Sequence, residues 1–154
     1  MAENLFIGCM TMGFCLSIQC IIASLLLSAL FVLERNGFVR HTLFGATWLL
    51  LGFMLVMMLG NLLQVTIWAM LFLIYGEFAN FATAFYHSVV NFSTLGYGDL
   101  VMSEQRRLLG ALEAANGVLM FGLTTGFLYA VLNALMHRAW ADRLETAREF
   151  EKSM

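Results

Sequence analysis

Two glycines flank a single aromatic residue in Thr94-Leu95-Gly96-Tyr97-Gly98-Asp99. Glycine enters φ > 0 at little steric cost, so Gly96 and Gly98 can turn backbone carbonyls in directions that other residues resist. If the carbonyls of Thr94, Leu95, Gly96 and Tyr97 point one way, the strand presents a ladder of oxygens, to which the Thr94 hydroxyl adds one more. Four such strands around an axis make stacked oxygen cages that can replace the water around a monovalent cation. A lone chain gains nothing from that geometry, so the pattern implies a symmetric oligomer. No rival chemistry stands out. There is no nucleophile–base pair, no phosphate loop and no metal cluster. Nothing in the sequence places two of the carboxylates Glu77, Asp99, Glu104 and Glu113 together. Cys9, Cys15 and Cys20 are spaced for neither zinc nor a disulfide framework. An enzyme is not expected.

The elements that must position this strand are apolar. Of 154 residues, 61% are hydrophobic and 12% charged, and the mean hydropathy is +0.83. Soluble domains carry about 25% charged residues, so an ordinary soluble globule is excluded. The net charge of −2 comes without a basic patch, which argues against nucleic acid as a partner. Three apolar runs, 5–33, 43–75 and 108–136, each exceed the ~20 helical residues that cross a ~30 Å hydrocarbon layer. The first reads as a retained span. A signal peptide would need a positive leader and a shorter apolar core. Residues 34–41 form a polar turn with a break at Gly37. Trp48, Trp68 and Tyr75 are expected at membrane–water boundaries. Asn61 and Gln64, one turn apart, are expected to hydrogen-bond between helices.

Residues 78–93 are too few to cross and fit a re-entrant helix that enters the membrane and stops. Its C-terminal end carries partial negative charge, which favours a cation in front of it. Residues 103–107 return the chain to the surface. Along the last run Val118, Phe121, Thr125, Tyr129 and Asn133 recur at steps of three and four and share one face. Gly117, Gly122 and Gly126 either weaken this helix or let a neighbour approach. In the tail, Trp140, Leu144 and Ala147 form a fragment of a coiled-coil seam, and Arg138 and Asp142 are spaced to pair.

Residues 94–99 resemble the selectivity filter of potassium channels, the Thr-x-Gly-Tyr-Gly-Asp signature. Upstream, 85–93 resembles that family's pore helix, and downstream, 117–125 resembles its glycine-containing inner helix. The likeness runs from residue 43 to the end of the third apolar run. It implies an all-α membrane protein with three transmembrane helices, a re-entrant pore helix and a filter loop, assembled as a homotetramer in the lipid bilayer. The implied domains are an N-terminal helix and cytoplasmic turn (1–42), a pore module (43–136) and a cytoplasmic helical tail (137–154). By the same resemblance K⁺ is held by Thr94, Leu95, Gly96, Tyr97 and Gly98, with no other cofactor. Asp99 supports the filter, and the Tyr97 ring enters an aromatic cuff. Val118, Phe121, Thr125, Tyr129 and Asn133 line the cavity and gate, and Gly117 is the gating hinge. This sequence departs from the family in two places. It has Leu100-Val101-Met102 where a proline often follows the filter, and Val90 where some relatives carry a carboxylate behind it.

Six of the eight basic residues (Arg35, Arg40, Arg138, Arg143, Arg148, Lys152) fall on one side of the three spans, and Arg106 and Arg107 fall on the other. Basic residues favour the cytoplasmic side, so the tail is expected inside, the filter mouth and N-terminus outside, in a cell membrane. No arginine-repeat helix precedes the pore, so the usual voltage sensor is missing. Glu113, inside the last run, is either functional or close to the outer interface. His87 either titrates near neutrality or is simply packed. The expected function is passive, K⁺-selective conduction. The alternatives are a weakly selective cation channel and a non-conducting channel subunit.

Overall fold

A computed structural model describes residues 1–35 and 43–153. The expected break at Gly37 lies outside them. So do the side chains of the expected tail seam, Trp140, Leu144 and Ala147, and of the Arg138–Asp142 pair. Four helices account for most of the described chain: α1 Ala2–Arg35, α2 Leu43–Ile74, α3 Phe81–Phe92 and α4 Arg107–Ser153. No strand occurs among the described residues. α1, α2 and the first part of α4 are long and apolar enough to cross a membrane. At 12 residues, or about 18 Å, α3 is too short to do so. α4 continues without a break from its apolar part into the polar tail.

The ends of α2 and α3 are fixed by local chemistry. Gly76, at φ +70°, closes α2: its N–H bonds to the Leu73 carbonyl and the Glu77 N–H reaches back to Phe72. That pair of bonds satisfies carbonyls that the helix would otherwise leave open. Asn80 caps α3, its side-chain oxygen accepting from the Thr83 N–H at 2.9 Å and from the Thr83 hydroxyl at 2.8 Å.

Two apolar clusters hold the helices together. Cys15, Trp68, Phe72, Phe92, Leu109 and Met120 pack where all four helices meet. Leu26, Leu30, Phe53, Met57, Phe127 and Val131 join α1, α2 and α4 further along the bundle. Trp68 is fully buried, its ring 6.0 Å from that of Phe72. α1 docks through polar contacts as well. Gln64 donates to Gln19 at 2.8 Å and accepts from Asn116 at 3.4 Å, so a buried amide chain joins α1, α2 and α4. Gly60 provides the clearance, because a Cβ there would lie 2.7 Å from the Gln19 oxygen. Gln64 thus makes the expected interhelical bonds, whereas the Asn61 carbonyl has no partner.

Candidate functional site

Residues 94–98 form an irregular segment, a strand in outline only and without β pairing, hung from the C-terminal end of α3. The N–H of Thr94 bonds to the Asn91 carbonyl, and those of Leu95 and Gly96 both turn back to Val90. The donors of its first three residues are spent on α3. Among the described residues, no backbone hydrogen bond ends on the carbonyls of Thr94, Leu95, Gly96 or Tyr97.

Positive φ occurs at alternate positions: Thr94 at 61°, Gly96 at 58° and Gly98 at 74°. The two glycines behave as their type suggests. Thr94 does not: a β-branched residue in the left-handed region costs about 1–3 kcal/mol and persists only where its surroundings over-determine it. Alternating handedness turns every second peptide plane, the operation that brings successive carbonyls onto one side. All of residues 94–99 are exposed in the single chain.

Asp99 accepts a hydrogen bond from the Tyr86 hydroxyl at 2.8 Å, which ties the far end of the strand back to α3. That bond pushes the Tyr86 phenol above its usual range, because ionisation would lose the donor and set two negative charges together. His87 is packed. Its ring lies against Phe72 and Phe78, and its Nε2 is 2.8 Å from the Asn91 amide. Burial holds the imidazole below its usual range, opposed by a hydrogen bond to the Leu100 backbone and by the carboxylates of Asp99 and Glu77. Tyr97 is two-thirds exposed, and no ring contact joins it to α3 among the described residues, so one chain does not build the expected cuff.

Beyond the strand a second brace stands where the proline is missing. The Glu77 carboxylate accepts from the Ser103 N–H at 2.8 Å and from its hydroxyl at 2.7 Å, with Arg106 at 3.9 Å. The Arg106 guanidinium also covers the Tyr75 ring at 3.7 Å. Asn4 of α1 donates to the Gln105 carbonyl nearby. The sequence carries no short-range signal for these contacts, since 26 residues separate Glu77 from Ser103.

Val118, Phe121, Thr125, Tyr129 and Asn133 are all exposed along one face of α4. The Thr125 hydroxyl is bonded to the Phe121 carbonyl of its own helix. α4 runs through Gly117 without a break, and Gly117 lies against Phe92 at the end of α3. Phe121, one turn on, meets the Phe92 ring edge-on at 5.7 Å.

Two long apolar helices, with a short helix and an irregular segment between them, contain the part of the chain that a known family matches. Residues 57–134, just over half of the chain, match the family model described as an ion channel. The chain belongs to the ion channel family. Neither curated proteins nor solved structures gave a match. The matched segment of this ion channel begins within α2 and ends within the apolar part of α4, so it takes in α3 and the strand but none of α1. With its three membrane-capable helices the channel is a multi-pass membrane protein.

Proposed function

We propose that four copies of this chain form a K⁺-selective channel, with residues 94–98 as its filter. The observation that carries this reading is the alternating positive φ at Thr94, Gly96 and Gly98 in a strand whose first three N–H groups, those of Thr94, Leu95 and Gly96, are already used by α3. Such a strand has free carbonyls and no internal partner for them. Around a shared axis, the carbonyls of Thr94, Leu95, Gly96 and Tyr97 replace the hydration shell of K⁺, and repulsion between neighbouring ions keeps each one able to leave. In this arrangement α3 is re-entrant, its negative end faces the cavity, and Asp99 braces the outer mouth through Tyr86.

The exposed face of α4 supports the same reading. Val118, Phe121, Thr125, Tyr129 and Asn133 are uncovered in one chain and line the cavity and gate in the tetramer. Gly117 is the point about which α4 bends to open. The Tyr97 ring, exposed in one chain, completes its cuff on a neighbouring subunit. The distribution of basic residues puts the tail in the cytoplasm and the filter mouth outside the cell membrane.

Reconstituted in a planar bilayer under mixed K⁺ and Na⁺ gradients, the purified chain gives a reversal potential near that of K⁺. A reversal potential midway between the two ions would make it a weakly selective cation channel. No current from the chain alone would make it a subunit of a larger channel.

A further inference from the structure

Glu113 is fully buried (0% exposed), and among the described residues the other buried polar side chains are amides, a hydroxyl and an imidazole. Its carboxyl sits where three helices meet. Asn91 and Phe92 of α3 lie against Gly110 and Gly117 of α4, about one turn to either side of Glu113, Ser88 is buried on the same face of α3 as Asn91, and Cys15 of α1 packs in the cluster that holds Leu109 and Met120. Neither carboxyl oxygen has a hydrogen-bond partner, and the Ser88 hydroxyl has none either. Among the described residues no cation compensates. Arg107 is exposed, Arg106 is committed to Glu77 and Tyr75, and the His87 ring is taken by Asn91. Two adjacent buried polar groups without partners cost stability that an apolar pair of the same size does not. Packing therefore gives no reason for an acid at this position.

The route from Glu113 to the strand is short. Ser88 and Asn91 are three residues apart and share one face of α3. Between them, the Val90 carbonyl accepts from the N–H groups of Leu95 and Gly96, and the Asn91 carbonyl accepts from Thr94. A roll of α3 about its own axis moves all of these anchors together.

We propose that Glu113 is a positioning residue for the strand 94–98, its carboxyl setting the rotation of α3 through Ser88 and Asn91 at a cost in stability. This rests on the reading of that strand as the ion filter. The experiment compares Glu113→Leu, Glu113→Gln and Ser88→Ala in the full chain, by thermal melting in detergent and by reversal potential in bilayers. Glu113→Leu fills the same space and melts no lower than the wild type, yet its K⁺/Na⁺ permeability ratio falls about tenfold as α3 settles differently against α4. Glu113→Gln keeps a polar head at the same reach and restores the ratio. Ser88→Ala lowers the ratio and adds little to Glu113→Leu, since both cut one route.

A Glu113→Leu channel with the wild-type ratio overturns the inference. So does one that melts lower or fails to assemble, and so does an equal loss of selectivity in the Leu and Gln variants. A wild-type chain that does not discriminate K⁺ from Na⁺ overturns the filter reading itself and this inference with it.

Discussion

A Cβ built on Gly117 of α4 would fall 1.8 Å from the carbonyl oxygen of Phe92, the last residue of α3. The two helices meet backbone to backbone, two residues before Thr94. The resemblance to potassium channels makes Gly117 a hinge, whereas the contact makes it the point where α4 bears on the base of the strand. Gly117→Ala separates these uses. A displaced α3 costs about 1–3 kcal/mol, typical of overpacking, and lowers the melting temperature of the purified channel. Impaired opening with an unchanged melting temperature would mean that bending alone matters at this position.

The Tyr86–Asp99 bond closes the outer end of the strand on the helix that carries its inner end. Tyr86→Phe removes the donor and leaves the ring, so the strand keeps its foot and loses its upper tie. The expected result is a faster decline of current during sustained conduction, with the oligomeric state unchanged. The bond also raises the Tyr86 pKa. Its contribution is therefore complete below the ordinary phenol value of about 10 and is lost as pH rises through the higher folded value. The difference in phenolate absorbance between wild type and Tyr86→Phe, titrated from neutral to strongly alkaline pH, should rise later than a free tyrosine does.

Glu77 does for the descending segment what the absent proline cannot. Its carboxylate, almost buried, accepts both hydrogen bonds from Ser103. The Arg106 contact is longer, at 3.9 Å, and its arginine is partly exposed, so it adds less. Glu77→Ala frees the Ser103 N–H and hydroxyl and is expected to cost about 1.5–3 kcal/mol, the range for hydrogen bonds to a charged group. Glu77→Gln keeps an acceptor and loses less. Chemical denaturation in mixed micelles measures both. High salt should leave the difference between wild type and Glu77→Ala nearly unchanged if the Ser103 bonds dominate, and shrink it if Arg106 does.

What the sequence made legible was set by range. The three apolar runs, the short helix before Thr94 and the glycine-spaced strand are local patterns, and each one appears. Gln64 was readable as an interhelical donor because a polar residue in an apolar run needs a partner. Thr94 was not readable as left-handed, since its β-branched type argues against it and the bonds from residues 94–96 to α3 that accompany the conformation leave no mark in the sequence. The residue type of Trp68 carries no sign that its ring is buried against Phe72. The Glu77–Ser103 brace and the burial of Glu113 join elements far apart in the chain, for which spacing holds no record. The open face of α4 and the exposed Tyr97 are surfaces that one chain leaves uncovered, so neither sequence pattern nor a single fold completes them.

His87 brings acid sensitivity into the support of the strand. Its Nε2 faces the Asn91 amide at 2.8 Å, so the ring accepts there as the neutral imidazole. Burial lowers its pKa in the folded state. The sign follows from linkage: the unfolded chain binds the proton first, so the contribution is intact above the ordinary histidine value of about 6.5 and is lost as pH falls through the lower folded value. A proton on Nε2 turns the acceptor into a second donor facing the Asn91 amide, in the turn of α3 whose carbonyls anchor Thr94, Leu95 and Gly96. Lowering the pH from 7 to about 5 should therefore reduce both the melting temperature and the single-channel current. His87→Gln should remove most of both dependences. An acid-induced loss of current that persists unchanged in His87→Gln would assign the effect to another group and leave His87 as packing alone.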